Sequence, residues 1–381
     1  MSQHHTRKRI IAPVLGLLAL GFGAQNLHAL NAYKEVDLVS DIPGRAANTD
    51  PNLVNPWGIA FSATSPFWIA NNKTGTATLY NGGGTPQALV VTIPDPAGGN
   101  APVTGQVFNG GTAFNGDRFI FSSESGLISG WRAGTVAETL WDNSAADAIY
   151  KGLAIASIGA NSYLYAPDFH NARIDVLAST GAPALTGSFF DPTIPFGFAP
   201  FNVQTIGGQL YVTYAKQDAD AEDDEAGPGN GYVDIFDLNG NMVKRLISGG
   251  VLNSPWGVAV APASFGAFGG DLLVGNFGDG RIDAFNLANG DFIDTLRDAA
   301  GNPIVIRGLW ALDFGNGGAG FDPGSLYFTA GINREADGLF GSIAPVPEPG
   351  TGVAGVVLVG FCAVVWARRR SKTKAEAVTT A

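Results

Sequence analysis

Short apolar stretches recur along the chain in a fixed order. Six strand-length runs end in small or amide residues: Phe67 to Asn72, Phe119 to Ser123, Tyr163 to Asp168, Leu210 to Tyr214, Leu272 to Asn276 and Leu326 to Ala330. Each is followed by a glycine turn and a stretch with period-two alternation, namely Thr76 to Tyr80, Leu127 to Trp131, Arg173 to Leu177, Tyr232 to Phe236, Arg281 to Phe285 and Leu339 to Ile343. That alternation is what a strand with one buried face requires. A third signal opens each unit. Asn55-Pro56-Trp57-Gly58-Ile59-Ala60 returns as Ser254-Pro255-Trp256-Gly257-Val258-Ala259, with weaker copies at Gly111-Thr112-Ala113-Phe114, Gly152 to Ile155, Phe201 to Gln204 and Gly308 to Ala311. Asx-Gly pairs such as Asn81-Gly82, Asn239-Gly240, Asp279-Gly280 and Asn289-Gly290 fall beside the strands and supply the positive φ that tight hairpins need. Three or four antiparallel strands repeated six times around an axis make an all-β, six-bladed β-propeller. The last unit is one outer strand short, whereas Glu35 to Val39 has no unit of its own. The pattern predicts that this N-terminal strand completes the last blade and closes the ring.

The two ends of the chain read differently. Arg7-Lys8-Arg9, the apolar stretch Ile10 to Phe22 and the small-residue site Leu27-His28-Ala29 have the layout of a secretory signal peptide over residues 1–29. At the other end Val346-Pro347-Glu348-Pro349-Gly350 is followed by an apolar run over 351–367, long enough to be expected to cross a bilayer as a helix. Arg368, Arg369 and Arg370 begin a basic tail over 368–381 that belongs on the cytoplasmic side. The folded body is then residues 30–344.

Those three C-terminal parts, in that order, resemble the PEP-CTERM sorting signal of Gram-negative bacteria, with 345–350 as the recognition motif. The resemblance implies an exosortase as partner, anchoring in the inner membrane before processing, and delivery to the surface or extracellular matrix of a cell that makes exopolysaccharide. A single-pass tail anchor behind a proline linker is the alternative. The body resembles a family of six-bladed propellers that often carry such a tail. The residues behind this are Asn55-Pro56-Trp57-Gly58, Tyr214-Ala215-Lys216-Gln217-Asp218, Gly227 to Asp234 and Ser254-Pro255-Trp256-Gly257. That family has no assigned activity, so the resemblance implies fold and compartment rather than chemistry.

Composition narrows the chemistry. A net charge of −11 argues against nucleic acid and against peripheral attachment to an anionic membrane. The single cysteine, Cys362, lies in the apolar tail, and His170 is the one histidine of the body, so His/Cys zinc sites and Cys/His nucleophile pairs are excluded there. Oxygen ligands remain. Asp218, Asp220, Glu222, Asp223 and Asp224 crowd into one glycine-rich excursion, a composition suited to Ca²⁺ although not to EF-hand spacing; a solvated acidic loop reads the same way. A second set lies where the second strands end, on one face around the channel: Asn71, Asn72, Asp168, His170 and Asn276, with Glu124, Lys216 and Asn333 beside them. These could hold a sugar or a divalent ion, or simply cap their own turns. The tryptophans of the Pro-Trp-Gly repeats are expected to fill gaps between blades, with sugar stacking as the alternative. The expectation is a non-catalytic surface propeller that binds polysaccharide or a matrix protein; a metal-dependent, lactonase-like hydrolase and a purely structural matrix component are the alternatives.

Overall fold

The computed structural model describes residues 31–347. The signal peptide over 1–29, the sorting residues Glu348, Pro349 and Gly350, the apolar run over 351–367 and Arg368, Arg369 and Arg370 lie outside the described residues. Among the described residues, no helix is long and apolar enough to cross a membrane.

Six antiparallel sheets surround one axis. The first blade runs Pro56–Ala60, Phe67–Asn71, Thr76–Tyr80 and Pro86–Thr92; the second Val103–Phe108, Phe119–Ser123, Leu127–Trp131 and Glu138–Asp142. The third has three strands, Ala154–Ile158, Asn161–Asp168 and Arg173–Ala178. The fourth is Phe198–Ile206, Gln209–Lys216, Gly231–Phe236 and Met242–Ser248, and the fifth Pro255–Val260, Leu272–Asn276, Ile282–Phe285 and Phe292–Thr295. The sixth takes Leu309–Phe314, Leu326–Gly331 and Asp337–Pro345 from the end of the body and Tyr33–Ser40 from its start. The expected closure is present, with Tyr33 opposite Pro345 and Ser40 opposite Leu339. The two-residue strand Asn48–Thr49 adds to Tyr33–Ser40 in parallel.

One strand differs from the sequence reading. The second blade opens at Val103–Phe108, not at Gly111-Thr112-Ala113-Phe114, which lies in the turn before the second strand and ends in a single 3-10 turn. The inner strand there carries Thr104-Gly105-Gln106 where the first blade carries Trp57-Gly58-Ile59. The equivalence shows in space, because each of these glycines lets one inner strand press against the next. A Cβ on Gly58 would lie 2.7 Å from the Thr104 carbonyl oxygen, and one on Gly257 would lie 2.5 Å from that of Trp310. Gly105 and Gly152 meet the following strands in the same way.

Side-chain hydrogen bonds then tie neighbouring blades together near the axis. Gln106 Nε2 donates to the Gly58 carbonyl at 2.8 Å, Thr104 Oγ1 to that of Tyr150 at 2.7 Å, and Asn202 Nδ2 to that of Trp256 at 2.9 Å. These satisfy inner-edge carbonyls that would otherwise be buried without partners. Between the sheets sit apolar clusters drawn from the inward-facing positions of adjacent blades, for example Trp68, Phe119 and Phe121 between the first and second.

Candidate functional site

The residue before each close-contact position points to the axis. Around the ring these are Trp57, Thr104, Lys151, Phe201, Trp256 and Trp310, so four of the six are large rings. Trp57 and Trp310 stack with centroids 3.5 Å apart, and Trp256 meets both edge-on at 6.2 and 5.7 Å. Phe277 covers the outer face of Trp310 at 4.1 Å. All three tryptophans are buried. They fill the axis itself, a plug across the channel, rather than the gaps between sheets expected from their repeat spacing.

Lys151 stands in the same ring and its ammonium lies over the plug, 5.4 Å from the Trp57 ring centre and 6.0 Å from that of Phe169. The side chain is almost wholly buried. It donates to the Glu124 carboxylate and, at 2.9 Å, to Asp223 Oδ1. Burial works against the Lys151 charge, but Glu124 and Asp223 outweigh it and hold the ammonium above the ordinary lysine range. The network continues outward. Asn72 Nδ2 donates to Glu124 at 2.8 Å, and Asn55 Nδ2 donates to Asn72 Oδ1 at 3.3 Å and to Glu335 Oε1 at 3.1 Å. Burial, helped by the charges of Glu124 and Asp223, pushes the Glu335 carboxyl above its usual range.

Glu335 also borders a pocket of about 460 Å³ on the same face, lined by Phe277, Asp279, Arg307, Asn333 and Arg334 among others. Among the described residues neither arginine forms an ion pair, and both are exposed. Asn333, Arg334 and Glu335 adopt φ values of 54°, 58° and 64°, three successive left-handed residues of which none is glycine. Such a run costs about 1 to 2 kcal/mol per residue, and strain of this kind gathers where a side chain must be held in a particular place.

The candidate residues divide by a single position. The backbone amides of Asn72, Glu124, Phe169, Gln217 and Phe277 each donate to a carbonyl at the start of their blade's inner strand, or just before it, which identifies one repeat position facing the axis. Asn71, Asp168 and Asn276 occupy the position before it and therefore point into their own blades, as strand alternation demands. Asn71 Nδ2 bonds Thr78 Oγ1 at 2.9 Å, and Asn276 Nδ2 bonds Asp283 Oδ2 at 2.9 Å. Asp168 accepts from Asn171 Nδ2 at 2.8 Å and from the Ile149 amide at 3.2 Å, with Arg173 beside it. It makes no hydrogen bond to His170, whose Nδ1 has no partner. Lys216 pairs with Glu225, and Asn333 Nδ2 donates to Asp337. Of the channel-face set, Asn72 belongs to the axial network, while Asn71, Asp168 and Asn276 hold their own hairpins.

The acidic excursion is likewise divided. Asp218 closes a turn, accepting from the Glu222 amide at 3.0 Å, while Asp220 and Glu222 are exposed. Asp223 crosses to Lys151, and Asp224 is turned inward, its carboxyl raised by burial. The five carboxylates do not surround one point, and among the described residues no group of three or more His, Cys, Asp and Glu side chains is arranged to hold a metal ion. They do not fit a calcium ion as a set. Sequence reasoning missed Lys151, Asn55, Glu335, Arg307 and Arg334. The first was marked, since it precedes Gly152 as Trp57 precedes Gly58; the arginines and Glu335 lie in loops that carry no pattern.

Comparison with known proteins agrees with the fold. Among solved structures, an α-L-arabinanase of Penicillium chrysogenum aligns over 84% of this chain and 99% of its own, with a TM-score of 0.51 and 12% identity. An α-L-arabinofuranosidase of Fusarium graminearum aligns over 83% and 98%, with a TM-score of 0.51 and 13% identity. At such identities the likeness is of fold alone. No family model matches the chain. Sequence relatives are nearer. Uncharacterized protein L690 of Acanthamoeba polyphaga mimivirus is 33% identical over 344 residues, covering 83% of this chain and 86% of the relative. Uncharacterized protein R648 of the same virus is 35% identical over 339 residues, covering 83% of this chain and 81% of the relative. The chain belongs to the same protein family as R648 and L690.

Proposed function

We propose that this protein is an exported propeller, sorted to the cell surface by an exosortase, that binds a carboxylate-bearing polysaccharide of the extracellular matrix at the mouth above the tryptophan plug. The observation that carries the reading is the pocket holding Arg307 and Arg334 without acidic partners of their own. In an acidic chain these are the groups a sugar carboxylate would meet, and a guanidinium offers a carboxylate two parallel hydrogen bonds. Phe277 supplies an apolar surface at the base, while Asn333 and Asp279 are placed to accept or donate to hydroxyls. The carboxylates nearest the axis, Glu124 and Asp223, are committed to Lys151, which favours binding over metal-assisted hydrolysis.

Isothermal titration with a short uronic-acid oligosaccharide and with a neutral one of equal length tests this. Saturable heat is expected from the acidic sugar alone, with affinity about tenfold weaker in Arg307→Gln and in Arg334→Gln. No heat, or equal heat from the neutral sugar, would count against the reading. For the sorting step, mass spectrometry of the surface protein should find no peptide ending at Ala381.

A further inference from the structure

Below the plug the axis is open. A cavity of about 210 Å³ enters from the opposite face and narrows upward to Trp256. Its walls are aliphatic and amide side chains of the inner strands, including Ile59, Gln106, Leu153 and Gln204, with Phe61 and Phe108 at the mouth. Asp313 is its only titratable side chain; no Lys, Arg or His lines it.

Two groups in this cavity lack partners. The Asp313 carboxylate accepts one hydrogen bond, from the amide of its own neighbour Phe314 at 2.8 Å, and meets no cation. Gln106 is 5% exposed and its Oε1 has no hydrogen-bond partner. The orientation of that amide is fixed, because Nε2 donates to two carbonyls, those of Gly58 and Trp68. Oε1 is thus a buried acceptor lining the same space as an uncompensated carboxylate. Leaving such groups unsatisfied costs about 1 to 3 kcal/mol each, so a donor that reaches both would be bound in proportion.

We propose that the lower half of the axial channel binds a small organic ammonium ion, its –NH₃⁺ group held between the Asp313 carboxylate and Gln106 Oε1 and its alkyl part against Ile59 and Leu153. An ammonium group has three donors and no acceptor, which matches a site that offers acceptors. A hard divalent ion wants six or more oxygens, whereas this cavity has one carboxylate among apolar walls. The rings of Phe61 and Phe108 at the entrance add an attraction for cations. Burial raises the Asp313 carboxyl to about 7. Binding should therefore strengthen as pH rises through 7 and fade only where the amine itself loses its proton, near pH 10.

The test is isothermal titration of the full chain at pH 8 with n-butylammonium chloride, with 1-butanol and calcium chloride as separate arms. Saturable heat from the amine alone is expected, weakened about tenfold or more in Asp313→Asn, which keeps the shape and removes the charge. Butanol binding as well as the amine, saturable heat from calcium without any from the amine, or unchanged amine affinity in Asp313→Asn would each overturn the proposal. Should that variant fail to fold, Val107→Trp, which narrows the mouth, must weaken amine binding; unchanged affinity there overturns the proposal too.

Discussion

The upper and lower halves of the channel are lined by successive positions of the same six inner strands, and they end in opposite states. Above, Trp57, Trp256, Trp310 and Phe201 close the axis, and a buried lysine is matched by two carboxylates. Below, Ile59, Leu153, Val258 and the amides Gln106 and Gln204 are too slender to meet, and a carboxylate stands without a counter-charge. Side-chain volume at two adjacent levels, on an unchanged backbone ring, decides which end is sealed. It also decides where charge must be balanced from within and where it is left for a ligand to balance.

The sharpest way to break this contrast is to remove the cation of the upper half. Lys151→Ala leaves Glu124 buried beside an aromatic floor with no partner, and breaking a buried pair of this kind costs about 3 to 5 kcal/mol. A loss of about 3 kcal/mol is expected, at the low end because Asp223 is largely exposed and can rehydrate. Adding Glu124→Gln to Lys151→Ala should recover part of the loss, since the stranded charge goes with it. Urea denaturation of the two variants checks both statements; a Lys151→Ala variant as stable as wild type would mean that the network does not hold the mouth together.

The matching experiment on the lower half uses pH. A carboxyl whose folded value is raised from 3.8 to about 7 keeps its proton in the folded state where the unfolded chain has already released it. Its penalty is absent below about pH 4, grows as pH climbs through this window, and is constant above 7. Wild type should thus lose melting temperature relative to Asp313→Asn between pH 4 and pH 7. The comparison must be made as a difference, because Glu35, Asp234 and Asp283 are also raised by burial. A difference that stays constant across this range would show that Asp313 is compensated after all.

How far these features could be read beforehand follows from what each asks of a sequence. The second and third strands of every blade were legible because their apolar runs, alternation and turns repeat, and closure was legible because Glu35 to Val39 had nowhere else to pair. The inner strand of the second blade was not. Its Thr104-Gly105-Gln106 replaces a ring and an aliphatic residue by polar ones, whose role is to bond across to Tyr150 and Gly58. Among site residues the error was one of phase: Asn71 and Asn72 look alike in the sequence, and only the register places one in the blade and the other at the axis. Lys151 was hidden for a different reason. Nothing in a lysine suggests a tryptophan's position until the ring shows that both point at one spot.

The smallest expected effect concerns Arg334, and it separates stability from binding at the upper mouth. Residues 333 to 335 sit in the left-handed region. Asparagine tolerates this and arginine does not. Arg334→Gly removes the Cβ clash, worth about 1 to 2 kcal/mol, but gives back about 0.5 to 1 kcal/mol in the greater freedom of the unfolded chain. A net gain of about 0.5 to 1 kcal/mol in urea denaturation is expected, together with loss of uronate binding. A variant that is less stable than wild type would place the strain elsewhere. If stability rises and binding survives, the guanidinium is not what the sugar meets. Gain in one and loss in the other is the outcome that explains why a position so suited to glycine carries an arginine: the turn holds that side chain over the pocket at the expense of the fold.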